Sequence, residues 1–155
     1  MAKRLLAMLA AGVALALAAG CGGGGDDDGP TRAEFIKEAD AICQQSIKSV
    51  QNEFLVFAKK KAKSGASEQE LAAARGEFAE TIYLPGLETR LEELEALDLP
   101  DQGEEKVSAY LDTLSAAVEE GQDDPETLLG EGGTHQLQKA SERAQAAGLK
   151  VCGTG

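Results

Sequence analysis

The chain has 155 residues, with 27 acidic against 15 basic side chains, three cysteines, one histidine and no tryptophan. That length holds one domain rather than two. The excess negative charge repels nucleic acid and anionic headgroups and argues against a nucleic-acid partner; solubility alone accounts for it.

Lys3 and Arg4 form a short basic start, followed by the uncharged run "LLAMLAAGVALALAA" at residues 5–19. A bilayer span needs about 20 apolar residues and a signal-peptide core about 7–15, so the run predicts a cleaved signal peptide over residues 1–20. The glycines after Cys21 would extend it poorly as an uncleaved anchor, because polyglycine gains little from burial and loses much entropy. All 27 acidic residues lie beyond Cys21, whereas Lys3 and Arg4 precede it, so the chain from Cys21 onward carries thirteen basic residues and an excess of fourteen negative charges. Residues 21–30, "CGGGGDDDGP", offer nothing to a core and read as a flexible linker with a reach of roughly 15–20 Å.

A helical domain is expected over 31–155. Thr31 and Glu34 have capping-box spacing, and Phe35, Ala39, Ile42, Cys43, Val50, Phe54 and Phe57 form an apolar stripe, which predicts one helix over about 31–64. Ser67 and Glu70 repeat the capping pattern ahead of Leu71, Ala74, Phe78 and Ile82. Pro85 and Gly86 should kink or break this second helix before Leu87, Leu91 and Leu94 resume the stripe to about Leu97. A third helix is expected over about 102–121, with Val107, Tyr110, Leu111, Leu114, Ala117 and Val118 inward and Gly121 as its end. After a loop with one helical turn following Pro125, Thr134 should cap a last helix over 135–147, built on Leu137, Ala140, Ala144 and Ala147 and stopped at Gly148. No strand pattern competes. The expected fold is an all-α antiparallel four-helix bundle whose second helix is kinked at Pro85.

In that topology the end of the last helix lies beside the beginning of the first, which makes a Cys43–Cys152 disulfide natural in an oxidising compartment. Two unpaired buried thiols are the other reading. With the pair assigned, Cys21 is left over. The residues around it, "LAAGC" (Leu17 to Cys21), resemble the lipobox of bacterial lipoproteins, in which a dedicated peptidase cuts before a cysteine that carries a diacylglyceryl thioether. The resemblance covers residues 1–21 and implies a palmitate-type lipid anchor at Cys21 on the extracytoplasmic face of the cell membrane. Ordinary cleavage after "ALA" (Ala16 to Ala18), releasing a soluble chain that begins at Ala19, is the alternative. "EADAIC" and "AAGLKVCG" further resemble small helical lipoproteins of high-GC Gram-positive bacteria, a likeness that supports the Cys43–Cys152 pair and implies nothing catalytic.

No nucleophile, base and metal ligand converge in the sequence, so no enzyme, metal or cofactor is expected. His135 begins the last helix and reads as exposed, with Glu131 separated from it by two glycines. Asp123, Asp124, Glu126 and Glu131 in the acidic loop 123–131 offer a cation site in one reading and a solvated loop in the other. Lys59, Lys60, Lys61 and Lys63 offset the macrodipole at a helix end; they are also the candidate contact for an envelope protein or a cell-wall polymer. They stand roughly 45 Å from the helix start, so the chain's own membrane is beyond their screened reach of about 8–10 Å. Tyr83 and Tyr110 would line any pocket at the bend, and on apolar stripes they read as core residues with wet hydroxyls. The expected function is a membrane-anchored, non-enzymatic interaction module of the cell envelope. The alternative is a lipoprotein binding a small ligand or cation at the Pro85 bend or the acidic loop.

Overall fold

The computed structural model describes residues 29–61, 65–130 and 135–154, and every regular element among them is helical. The signal segment, Cys21, most of the linker, Lys63, Glu131 and Thr134 lie outside the described residues. Helix α1 (Arg32–Lys61) starts at the expected capping box: Glu34 N–H donates to the Thr31 hydroxyl, and the Glu34 carboxylate accepts from Thr31 N–H at 2.9 Å. The Thr31 hydroxyl also donates to that carboxylate at 2.6 Å, and this bond, followed by the one from Thr31 N–H, holds the Glu34 carboxyl below its ordinary range. No helix among the described residues is long and apolar enough to cross a membrane.

Helix α2 (Glu68–Phe78) opens on a complete Ser67–Glu70 capping box. It continues without a break through a π-helical turn, Ala79–Tyr83, into α3 (Leu84–Glu95). Proline therefore does not interrupt the helix here. Pro85 cannot donate to the carbonyl one turn earlier, and the widened turn before it absorbs the mismatch, with Leu84 N–H reaching back to Ala79 O. Gly86 has a packing role: a Cβ there would come within 2.6 Å of Val50 Cγ2, so its absence lets α1 approach α3.

Helix α4 (Glu104–Asp123) runs two residues past the expected end. Gly121 is buried inside it, where a Cβ would lie 2.6 Å from Leu128 Cδ1, so this glycine makes room for a neighbour instead of ending the helix. The stop comes at Asp124, held extended by the following proline. A 3₁₀ turn, Pro125–Leu129, places Leu128 in the core, and α5 (His135–Ala147) follows. Gly148 has φ of +91°, and the paired bonds Gly148 N–H to Gln145 O and Leu149 N–H to Ala144 O form a Schellman stop that buries Leu149.

One continuous core joins Phe35, Ala39 and Cys43 of α1 to Leu87, Leu91 and Leu94 of α3, Val107, Tyr110 and Leu114 of α4, and the alanines of α5. Cys43 and Cys152 are disulfide-bonded across 109 residues, with Cα atoms 5.2 Å apart. Asp40, one turn before Cys43 on the same face, accepts the backbone N–H groups of Lys150 and Val151 at 3.1 and 2.8 Å, and that of Cys152 at 3.4 Å. Arg32 donates to Ala147 O at 2.9 Å, satisfying a carbonyl at the end of α5. The Tyr110 hydroxyl lies 3.9 Å from Cys43 Sγ, and because a disulfide sulfur has no hydrogen, the hydroxyl is the donor. Its hydroxyl is thus buried and not wet.

Removing the disulfide by replacing both cysteines with alanine should destabilise the fold by about 4–5 kcal/mol on the chain-entropy model, read as a lower denaturation midpoint. Asp40→Ala, with the disulfide intact, should cost about 1–3 kcal/mol through orphaned N–H groups. Burial pushes the Tyr110 phenol up to about 12, with Arg90 opposing and Asp40 reinforcing the shift. An unfolded tyrosine ionises near pH 10, so this contribution is complete below pH 10 and is lost as pH rises toward 12. Tyrosinate absorbance should show the late titration, and Tyr110→Phe should flatten the fall in stability over that window.

Candidate functional site

The apolar stripe of α1 is continuous in sequence, but its burial is not. Phe35, Ala39 and Cys43 are sealed in the core, whereas Phe54 is 48% exposed, and Leu55 and Val56 are more than half exposed. The reason lies in what faces the helix. Along its first half α1 packs on α3, with Ser46 donating to Gly86 O at 3.2 Å and accepting from the buried Arg90 Nε at 3.1 Å. Beyond Val50 the facing element is α2, which reaches α1 chiefly through Phe78. That ring stands 5.2 Å from Phe54, edge-on, and 5.8 Å from Phe57.

The result is an open groove of about 1130 Å³ between the last turns of α1 and the whole of α2, closed at one side by Leu129. Phe54, Phe57 and Ala58 line one wall, and Leu71, Ala74 and Phe78 the other. Small-ligand pockets are commonly about 300–1000 Å³ and largely enclosed; this one is bigger and open along its length. Leu71, which the stripe places inward, is 57% exposed in its wall.

Charge rims this apolar floor. Lys60, Lys61, Arg75, Glu70 and Glu77 line it. Two hydrogen bonds from Ser67 hold the Glu70 carboxyl below its usual range, and this carboxylate is taken up in the helix cap. Glu77 is taken by Lys61, whose ammonium also sits 5.6 Å from the Phe57 ring centre. Lys60 and Arg75 have no carboxylate within ion-pair distance among the described residues. The acidic groups lining the rim are therefore engaged, while two cations have no ion-pair partner among the described residues. Of the lysines singled out from sequence, Lys60 and Lys61 line the groove, Lys59 is exposed beside it, and Lys63 lies outside the described residues.

The other candidates are placed apart. Around Pro85 the space is filled by Val50 against Gly86 and by the Arg90–Ser46 bond. Burial raises the Tyr83 phenol above its ordinary value there, against the opposing Arg90 charge. In the acidic loop, Asp124 accepts from Glu126 N–H to cap the 3₁₀ turn, and no three His, Cys, Asp or Glu side chains among the described residues are placed to hold a metal ion. His135 is exposed. Sequence reasoning missed Arg75 and the exposure of Leu71 and Phe54. The signal available for it was "FLVFA" at 54–58, which is apolar on more than one face of a helix and so exceeds what a single buried stripe needs.

No protein-family model matches the chain, and comparison with curated proteins and with solved structures gives no match.

The groove's floor and wall should separate in stability. Phe78→Ala removes a buried ring and should cost about 3–5 kcal/mol. Leu71→Ser, at an exposed position, should change unfolding free energy by less than about 0.5 kcal/mol. Chemical denaturation of both variants checks the contrast.

Proposed function

We propose that this chain is a lipid-anchored, non-enzymatic interaction module of the cell envelope, and that its working surface is the groove between α1 and α2. The observation that carries the reading is the position of that groove. It lies at the end of α1 opposite Gly29, and a 30-residue helix spans about 45 Å. The basic start, apolar run and "LAAGC" of residues 1–21 support cleavage before Cys21 and attachment of a diacylglyceryl group to its sulfur. The glycine and aspartate tract then serves as a tether, and the domain presents its free end away from the extracytoplasmic face of the membrane.

We further read the helices as an antiparallel four-helix bundle in which Glu68–Glu95 counts as one helix, bent at the π-turn before Pro85. Three contacts support this. Arg32 at the start of α1 meets Ala147 at the end of α5, Lys61 at the end of α1 meets Glu77 of α2, and Gln122 near the end of α4 meets Glu88 of α3 at 2.7 Å. Together these contacts support a reading with Gly29, the start of α4 and the disulfide toward one end, and the groove toward the other.

Intact-mass measurement on the membrane fraction should find an acylated chain beginning at Cys21; an unmodified soluble product beginning at Ala19 would overturn the anchor. A photo-crosslinking amino acid at Leu71 in intact cells should yield a discrete adduct, and the same probe at the exposed Glu92 of α3 should not. Equal labelling at both positions, or none at Leu71, would overturn the assignment of the groove.

A further inference from the structure

Resting on the reading of the groove as the working surface, we propose that its occupant is an amphipathic helix of a partner protein, flanked by aspartate and glutamate. The shape comes first. Phe54, Phe57, Ala58 and Lys61 line one wall, and Leu71, Ala74, Arg75 and Phe78 the other. Both sets follow the i, i+3, i+4, i+7 spacing of a helix face. Two such faces flanking an open trough are the geometry into which a third helix lays its apolar stripe. An acyl chain in the same trough would keep one side in water along its length.

Charge then selects among helices. The chain as a whole is strongly acidic, yet the two rim side chains without an ion-pair partner among the described residues, Lys60 and Arg75, are both cations. An acidic flank meets them directly, whereas a basic flank meets repulsion at the rim. The other occupants within the chain fit less well. The apolar segment 5–19 joins the domain at Gly29, at the far end of α1, and a ten-residue glycine-rich linker typically reaches only roughly 15–20 Å. A second copy brings the same excess of negative charge, and self-repulsion opposes its approach.

The test uses the chain from Cys21 onward with its disulfide intact and two labelled helical peptides of about 15 residues, long enough to form helix. The peptides share one leucine and phenylalanine face and differ only in carrying glutamate or lysine on the flanks. Fluorescence anisotropy should show binding of the glutamate peptide, weakening as salt is raised, and no comparable binding of the lysine peptide. The double variant Lys60→Glu with Arg75→Glu should weaken the glutamate peptide by about tenfold, since exposed charge contacts are individually weak and two are reversed at once. Leu71→Asp should abolish binding while circular dichroism and denaturation midpoint stay unchanged. Equal binding of both peptides, binding of neither, or indifference to the double variant would overturn the proposal. So would displacement of a groove-bound fluorophore by sodium dodecanoate without displacement by either peptide, which assigns the groove to a lipid. Concentration-dependent dimerisation lost in Leu71→Asp would likewise overturn it in favour of a second copy. A crosslink at Leu71 in cells combined with no preference between the peptides sinks the acidic helix but not the groove's role; the absence of that crosslink sinks the role itself.

Discussion

Asp40 and Cys43 stand one turn apart on one face of α1, and between them they hold the end of the chain. The carboxylate accepts three successive backbone N–H groups, and the sulfur makes a covalent bond two residues after the first of those donors. The clasp matters most to α5, which packs on α4 and the core through small side chains. Its buried positions are Ala140, Ala144 and Ala147, and alanine contributes far less burial than leucine or phenylalanine. A helix packed on methyl groups comes close to its neighbours but gains little from doing so. Arg32 on the last carbonyl and the Schellman turn at Gly148 bring the backbone to the clasp at the right angle.

The clasp also concentrates the cross-links at one end of α1. The disulfide, the Tyr110 hydroxyl, Arg32 and the Asp40 carboxylate all act on the first three turns of α1. The second half of the helix is held by Ser46 and Val50 against α3, and then by a cluster of rings around Phe78. Stability in such a domain is graded along its length, and surfaces that must accept a partner belong to the less constrained end. A covalently closed base and an open apolar end agree with the proposed role of the groove.

Much of this was legible in the residues. Both capping boxes, the helix stop at Gly148 and the turn after Pro125 follow from local chemistry at known spacing, and the cysteine pair follows from the topology expected of those helices. Proline and glycine were harder. "PG" at 85–86 and Gly121 carry the usual signals for a break, yet the helix passes through both, because the π-turn accommodates the ring and because each glycine admits a side chain from another element. A residue's role as breaker or spacer depends on what approaches it, and sequence carries no record of that approach. The groove is the same case: Phe54 and Leu71 satisfy the helical period as well as Phe35 and Leu87 do, and differ in having no described element laid over them.

The sequence by itself determined the helical class, the helix starts and the expectation of a lipid anchor at Cys21, because each rests on short-range spacing or on the chemistry of single residues; the Cys43–Cys152 bridge, 109 residues apart, followed only once a topology was assumed. Only the tertiary structure decided which apolar faces are covered, that Asp40 binds the last turn, that Arg90 is buried against Ser46, and that Lys60 and Arg75 rim a groove. Those outcomes depend on which helices meet and how far their contact extends, a property of the assembled packing that no local pattern encodes.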